Sequence, residues 1–272
     1  MENAFMRTDL IAKNFGKFSS LYDGYAVIQN EMAEKLAEMI RCLGKRTADV
    51  FEIGCGTGYL SKLILECPGV RNLCLNDISP EMIELATKKL SSISDGDTAI
   101  ESVCADFRNA SQKSKYDLVA ANAVFQWVDD LKPAFEKINS LLNAGGCLAF
   151  ATFVEGTFRE LDESFRGAYE ALNIPYRRNI LKFFEKQDIM SLLTATGFKI
   201  RNAEKTAIVS KYPSAKDFLT SVKNIGASAF SGNPVGTGVL RRMFEFYKRT
   251  HSDSAEMINA TYEILYVTAE KT

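Results

Sequence analysis

Short apolar blocks alternate with amphipathic stretches along most of this chain, and the alternation predicts a doubly wound α/β domain. The first block runs into Phe51-Glu52-Ile53-Gly54-Cys55-Gly56-Thr57-Gly58, which reads as strand, tight loop and the start of a helix over Tyr59 to Cys67. A second strand-like run, Val70 to Leu75, ends in Asn76-Asp77-Ile78 and precedes a helix that starts near Pro80. Val103 to Phe107 closes a third run, and Tyr116 to Asn122 makes a fourth. A helix over Leu131 to Leu142, a turn at Asn143-Ala144-Gly145-Gly146 and a fifth strand, Cys147 to Phe153, come next. The sixth and seventh strands are deferred. Lys186 to Thr196 reads as a helix stopped by Gly197, Phe198 to Val209 as a strand, and Thr261 to Ala269 as the last strand. Two helix-like stretches, Val154 to Glu185 and Tyr212 to Asn259, are therefore inserted, each too long for a simple connection. Insertions after the strands of an open parallel sheet lie near its carboxyl edge, where ligands bind, so they predict a lid. Leu10 to Leu43, with Tyr22 and Tyr25 ahead of an amphipathic helix, predicts a facing flap. The expected division is an N-terminal helical flap over 1–46 and one domain over 47–272, with lid insertions at about 154–185 and 212–259.

The glycine loop carries the first chemical signal. Glycines between a strand and a helix let bare backbone approach a nucleoside cofactor. A dinucleotide fingerprint would place its third glycine at position 59, where this chain has Tyr59. The spacing Glu52, Gly54, Gly56, Gly58 instead resembles motif I of class I S-adenosylmethionine (SAM) methyltransferases. Cys55, inside the loop, is read as packing plus a backbone N–H. Asp77, nineteen residues beyond Gly58, can accept hydrogen bonds from both ribose hydroxyls. A nicotinamide cofactor would use Asp77 equally, and a helix-start role beside Ser79 and Pro80 is also open to it. Asp106 would face the adenine amino group, with Phe107 or Ile78 flanking the ring. Tyr116 to Asn122 matches the fourth strand of the same family, whose end at Asn122 lies beside the transferred methyl. These motifs imply a Rossmann-like class I methyltransferase: a seven-stranded, mostly parallel sheet with helical lid insertions. The resemblance implies SAM as cofactor, S-adenosylhomocysteine as product, and no metal.

Composition narrows the setting. The chain has 272 residues, 46% of them hydrophobic, with a formal charge of −1. No apolar run approaches the roughly twenty residues that span a bilayer, so no membrane role is expected. Residues 1–9 lack the apolar core of a secretory signal. The six cysteines include no C-x-x-C pair and sit mostly in apolar segments, which points to a reducing cytoplasm. Near-neutral charge disfavours nucleic acid as the main partner. Asn122 is not followed by the Pro-Pro-aromatic element of DNA adenine methyltransferases. A single histidine, His251, and scattered cysteines give no zinc pattern. His251 is read as an ordinary surface residue in a polar loop.

A closer resemblance covers nearly the whole chain. Ile11 to Phe18 with Tyr22, Asn122-Ala123-Val124-Phe125-Gln126-Trp127, Phe150 to Phe153 with Gly156, Lys223-Asn224-Ile225-Gly226-Ala227, and Thr261 to Tyr266 resemble malonyl-acyl-carrier-protein O-methyltransferases of biotin synthesis. The resemblance implies that the nucleophile is the free carboxylate of a malonyl thioester on an acidic carrier protein. Such a carboxylate is already ionised at neutral pH, so no general base is required and catalysis reduces to positioning and desolvation. Tyr22, Gln126 and Trp127 are the candidate positioning residues; Tyr22 could instead be a flap aromatic, and Trp127 a packing residue. Lys223 could neutralise the malonyl charge or be a solvated helix-end lysine. Arg177 with Arg178, and Arg241 with Arg242, are candidate carrier-docking clusters or solvated faces. A monomer is expected. The competing readings are carboxyl methylation of a free di- or tricarboxylic acid, methylation of a quinone precursor, which needs a base, and a scaffold without activity.

Overall fold

The structure is a computed structural model that describes residues 2–45, 47–93, 98–110, 115–227 and 235–272. Seven strands form one sheet: β1 (Asp49–Ile53), β2 (Asn72–Asp77), β3 (Ala99–Cys104), β4 (Tyr116–Asn122), β5 (Leu142–Phe153), β6 (Phe198–Tyr212) and β7 (Ile258–Lys271). Their order is β3-β2-β1-β4-β5-β7-β6. The first five run parallel, and β7 inserts antiparallel between β5 and β6. The expected seven-stranded, mostly parallel sheet is thus what the chain forms.

Strand alternation sends neighbouring residues into two different cores. Leu118 and Ala120 of β4 and Ile264 and Tyr266 of β7 pack into one, with α2 (Val27–Arg41), α3 (Tyr59–Leu65), α4 (Pro80–Ser91) and α6 (Arg159–Ala171). Val119 and Ala121, Leu265 and Val267 pack into the other, with α5 (Leu131–Leu141) and α7 (Lys186–Ala195). Central strands buried on both faces explain the continuous apolar runs. Edge strand β3 is largely exposed, with Ile100 and Val103 its half-buried positions.

Helix starts follow local chemistry. The Ser79 hydroxyl accepts from Met82 N ahead of Pro80, Asp130 caps α5, and Ser214 caps α8 (Ala215–Asn224). The N-terminal segment is two helices, α1 (Glu2–Tyr25) and α2, broken at Ala26. The stretch between β6 and β7 holds α8 and α9 (Thr237–His251), and α6 lies between β5 and β6.

Three boundaries differ from expectation. The turn at Asn143 to Gly146 lies inside β5, which already pairs Leu142 with Tyr116 and shifts register before Leu118 pairs with Cys147. Gly145, at φ 70°, takes up that irregularity. Asp106 and Phe107 lie in the turn beyond β3, which ends at Cys104. Finally, β6 and β7 run longer than their apolar cores suggest, because they pair with each other from Phe198/Lys271 to Tyr212/Ile258.

Candidate active site

The carboxyl ends of β1, β2 and β4 open into a cleft of about 760 Å³ of empty space, part of it open to solvent. This is where the strand order reverses between β1 and β4, the place a doubly wound sheet leaves for a ligand. Gly54 and Gly56 line it from the first loop, Asp77 and Ile78 from the second, Asp106 and Phe107 from the third, and Asn122 from β4. Both glycines have positive φ, 65° and 52°. A Cβ on Gly54 would overlap Val124 Cγ2, whereas one on Gly56 would meet nothing within 4 Å.

Asp77 is buried and accepts from Gly56 N at 3.0 Å and from Ser79 N at 2.9 Å, one on each carboxylate oxygen. Each oxygen keeps a further lone pair for a ligand. The carboxylate therefore ties the glycine loop to the start of α4 while facing the cleft, although the helix cap itself is Ser79. Burial raises its pKa, against the lowering effect of those backbone donors. Asp106 is engaged by Arg108, whose Nε lies 2.9 and 3.1 Å from its two oxygens and whose Nη2 lies 2.5 Å from one. Burial would raise the Asp106 pKa, but the Arg108 hydrogen bonds and charge outweigh it and hold it low. Arg108, which also lines the cleft, was not foreseen; an arginine two residues beyond an aspartate is too common a pattern to single out.

Several expected cofactor residues stand elsewhere. Glu52 is fully buried on the opposite face of β1 from Phe51 and Ile53, and accepts from Ser61 Oγ of α3 at 2.5 Å. Burial pushes its pKa up to about 8, with Asp77 adding to the rise and the Ser61 bond opposing it. It lines no part of the cleft and braces the loop from beneath. The backbone N–H of Cys55 is taken up by Asn76 O at 2.9 Å, and its side chain is buried. Gly58 (φ 84°) begins α3 and faces Ala86 of α4, 3.2 Å from where its Cβ would be; it permits helix approach rather than cofactor approach. Asn76, a polar residue where the family resemblance leads one to expect a small or apolar one, bonds Val103 O at 3.0 Å and Ala105 O at 2.8 Å, holding the second and third loops together.

A second cavity, about 500 Å³ of empty space with some of it open, adjoins the first. Phe15, Tyr22, Ala123 and Trp127 line both. The rest of its wall is mostly aromatic and aliphatic, including Phe153, Phe158 and Phe183. Phe15 meets Trp127 edge to face at 5.8 Å. Ala123, at φ 55°, stands in a conformation that costs an alanine about 1 kcal/mol or more. Gln126 holds it there: Nε2 donates to Ala123 O at 2.6 Å, while Oε1 accepts from Thr152 Oγ1 at 2.9 Å. Gln126, expected to hold a substrate oxygen, lines this cavity and keeps its second Nε2 hydrogen beside this bracing. Tyr22 lies at the junction, its pKa raised by burial and by Asp77 and Asp23.

The candidate cations lie outside both cavities. Lys223 is exposed and lines neither. Arg177 and Arg178 are exposed beyond α6, and Arg241 and Arg242 share Glu245 at 3.9 and 3.0 Å. His251 is not in a loop; it ends α9, largely covered, with its ring 5.5 Å from Tyr247 and Nε2 3.4 Å from Glu163.

The cleft fits SAM in its donor set. Asn122 donates Nδ2 to Gln29 O at 2.8 Å, which leaves its buried Oδ1 without a partner, an acceptor suited to an ammonium group. The open space at Gly56 and the free lone pairs of Asp77 suit a nucleoside. Among the described residues no cluster of three or more His, Cys, Asp or Glu side chains could hold a metal ion. Residues 51–148 match the methyltransferase domain family. Over 270 residues the chain is 32% identical to malonyl-[acyl-carrier protein] O-methyltransferase of Acetivibrio thermocellus, covering 96% of this chain and 93% of that one. The chain belongs to the malonyl-[acyl-carrier protein] O-methyltransferase family. A second member, from Ilyobacter polytropus, is 33% identical over 96% of this chain and 94% of its own length. Among solved structures, magnesium protoporphyrin IX methyltransferase of Synechocystis PCC 6803 with bound S-adenosylhomocysteine superposes with a TM-score of 0.53 at 16% identity, covering 90% of this chain and 83% of that one. That likeness shows a shared fold. Members of this family are methyltransferases, and the seven-stranded sheet seen here is the fold they need.

Proposed function

We propose that this protein transfers the methyl group of SAM to the free carboxylate of a malonyl thioester on acyl carrier protein, giving the methyl ester that starts biotin synthesis. The observation that carries this reading is the composition of the acceptor cavity. Its lining holds no Asp, Glu, His, Lys, Arg or Cys among the described residues, and its titratable groups are Tyr22 and Tyr262. Burial raises both phenols far from neutrality, so neither serves as a base near pH 7. A nucleophile that arrives already ionised needs no base, and a carboxylate does so. A phenol or carbon acid would need one, which disfavours a quinone precursor. A free di- or tricarboxylic acid would bring a second charge into an apolar cavity without a cation.

SAM, when bound, supplies an electrophilic methyl on a sulfonium. The residues that would hold it line the cleft: Asp77 would accept from the ribose, Ile78 and Phe107 would flank the base, Asp106 with Arg108 would border the adenine edge, and Asn122 Oδ1 would accept from the ammonium. Trp127, Phe15 and Tyr22 form the passage toward the acceptor. The apolar wall strips water from the carboxylate, which raises its reactivity toward a cationic centre. Helix α1 acts as a flap, held by Asp23, which accepts from Thr57 Oγ1 at 2.5 Å and pairs with Lys89 at 2.8 Å. The inserted segments with α6, α8 and α9 complete the cover as a lid. We read the protein as a monomer of the cytoplasm; its six free cysteines suit the reducing compartment of that reading.

Incubation with methyl-labelled SAM and malonyl-carrier protein, malonyl-CoA or free malonate tests this reading. Label in a base-labile ester on the malonyl carboxylate is expected, with a thioester preferred. Preference for the free acid, or label on carbon, would contradict it.

A further inference from the structure

Three cavities lie side by side in this molecule. The acceptor cavity shares Phe15, Tyr22, Ala123 and Trp127 with the cofactor cleft on one side. On another it shares Gln29, Val222, Ile225 and Tyr262 with an outer groove of about 670 Å³ of empty space, part of it open to solvent. The groove is bounded by the turn between α1 and α2, by Ser210, Lys211 and Tyr212 at the end of β6, and by Ser221 of α8. Gln29, Val222, Ile225 and Tyr262 thus border both spaces.

We infer that this groove receives the flexible arm of an acyl thioester, and that its rim is where the carrier protein docks. The inference rests on the malonyl-thioester reading above. A thioester carried on an amide-bearing arm needs a route that is long, partly polar and joined at its inner end to the acceptor cavity. The shared wall of Gln29, Val222, Ile225 and Tyr262 supplies the junction. Ser210, Ser221 and Tyr212 supply hydroxyls along the way, and the Tyr212 and Tyr262 hydroxyls lie 3.0 Å apart at the inner end. Lys211, the charged residue of the lining, pairs with Asp253 at 2.6 Å and puts a partly neutralised cation in the wall along which the phosphate of such an arm would pass.

The rim has the character of a protein-binding surface. Tyr25 and Val27 line the groove yet are 42% and 66% exposed. Leu21, one turn before Tyr25, and Val209, beside Ser210, are exposed as well. These four are half of the eight exposed large hydrophobic residues among those described, and they fall in the two segments that form this mouth. The arginine pairs of the insertions line none of the three cavities.

Steady-state kinetics of two variants test the inference, with SAM affinity measured by calorimetry as the check on the cofactor cleft. Ser221→Trp fills the groove and should raise KM for both malonyl-carrier protein and malonyl-CoA by about tenfold or more, with the SAM Kd within about twofold of wild type. Val209→Glu places charge on the exposed rim at a residue that lines none of the three cavities, and should raise KM for the carrier about tenfold while leaving malonyl-CoA nearly unchanged. A Ser221→Trp protein that binds SAM normally and keeps both KM values would overturn the route. If that variant loses SAM binding with its fold, Val209→Glu decides, and an unchanged carrier KM overturns the docking face. Wild type inert toward both thioesters would instead defeat the functional reading, and this inference with it.

Discussion

Asp77 accepts from Gly56 N and Ser79 N, and on the proposed reading the same carboxylate also takes the cofactor ribose, so a substitution there should show both. Its two backbone partners lose a buried acceptor in Asp77→Ala, at about 1–3 kcal/mol each, and the ribose loses its acceptor too. SAM affinity should fall tenfold or more, and the melting temperature should drop; calorimetry and thermal unfolding read the two effects separately. A folded variant with wild-type affinity would reduce Asp77 to a loop brace. Glu52 gives a different signature. Its carboxyl titrates near 4.5 when unfolded and near 8 when folded, so the folded state holds one more proton between those values. This contribution to stability is fully present below about pH 4.5 and is lost as pH rises through about 8. Glu52→Gln, which cannot ionise, should flatten the fall in stability between about pH 5 and 8, and denaturant titrations across that range check it. An identical slope in the variant would mean that Glu52 is ionised in the fold. The sequence shows Asp77 and Gly56 plainly because backbone geometry demands those residue types at those places. It does not show that Glu52 and Gln126 face inward, since that depends on which face of β1 is covered and on the partners Ser61 and Thr152, remote or unmarked in the chain.

Among elements, α1 brings Thr8, Ile11, Phe15 and Tyr22 to the wall of the cleft. Asp23 ties its end to Thr57 in the glycine loop and to Lys89 on α4, and Gly16 gives the room for Glu81 beside the same helix. Asp23→Ala removes both polar ties. Each hydrogen bond contributes about 0.5–1.5 kcal/mol, and the exposed Lys89 pair less, so SAM should dissociate several-fold faster with little change in global stability. Stopped-flow release of SAM measures this; an unchanged rate would mean that α1 does not gate the cleft. The parallel strands and their helices were legible because a doubly covered strand must be continuously apolar. The start of β5 was not, because Asn143 to Gly146 carry the residues of a turn while the sheet absorbs them as a bulge opposite Tyr116 and Leu118. The full reach of β6 and β7 was hidden for a related reason: their outer ends are held by pairing with each other, which leaves half-exposed positions free to be polar.

For the molecule as a whole, the order of motifs gave the cofactor cleft, but the acceptor cavity needed the fold. Its wall gathers Phe15 from α1, Trp127 after β4, Phe158 and Phe183 from the first insertion, Val222 from α8 and Tyr262 from β7, which no local pattern links. What that assembly lacks is as informative as what it holds, since the described lining offers neither a base nor a cation to a substrate. The account therefore stands on a nucleophile that is ionised before it binds. The single-turnover rate of methyl transfer to malonyl-carrier protein, measured against pH with SAM saturating, tests this most directly. The rate should stay flat from about pH 6 to 8.5, well above the carboxylate pKa. A rise that follows one ionisation near neutrality would reveal a protein base and contradict the account.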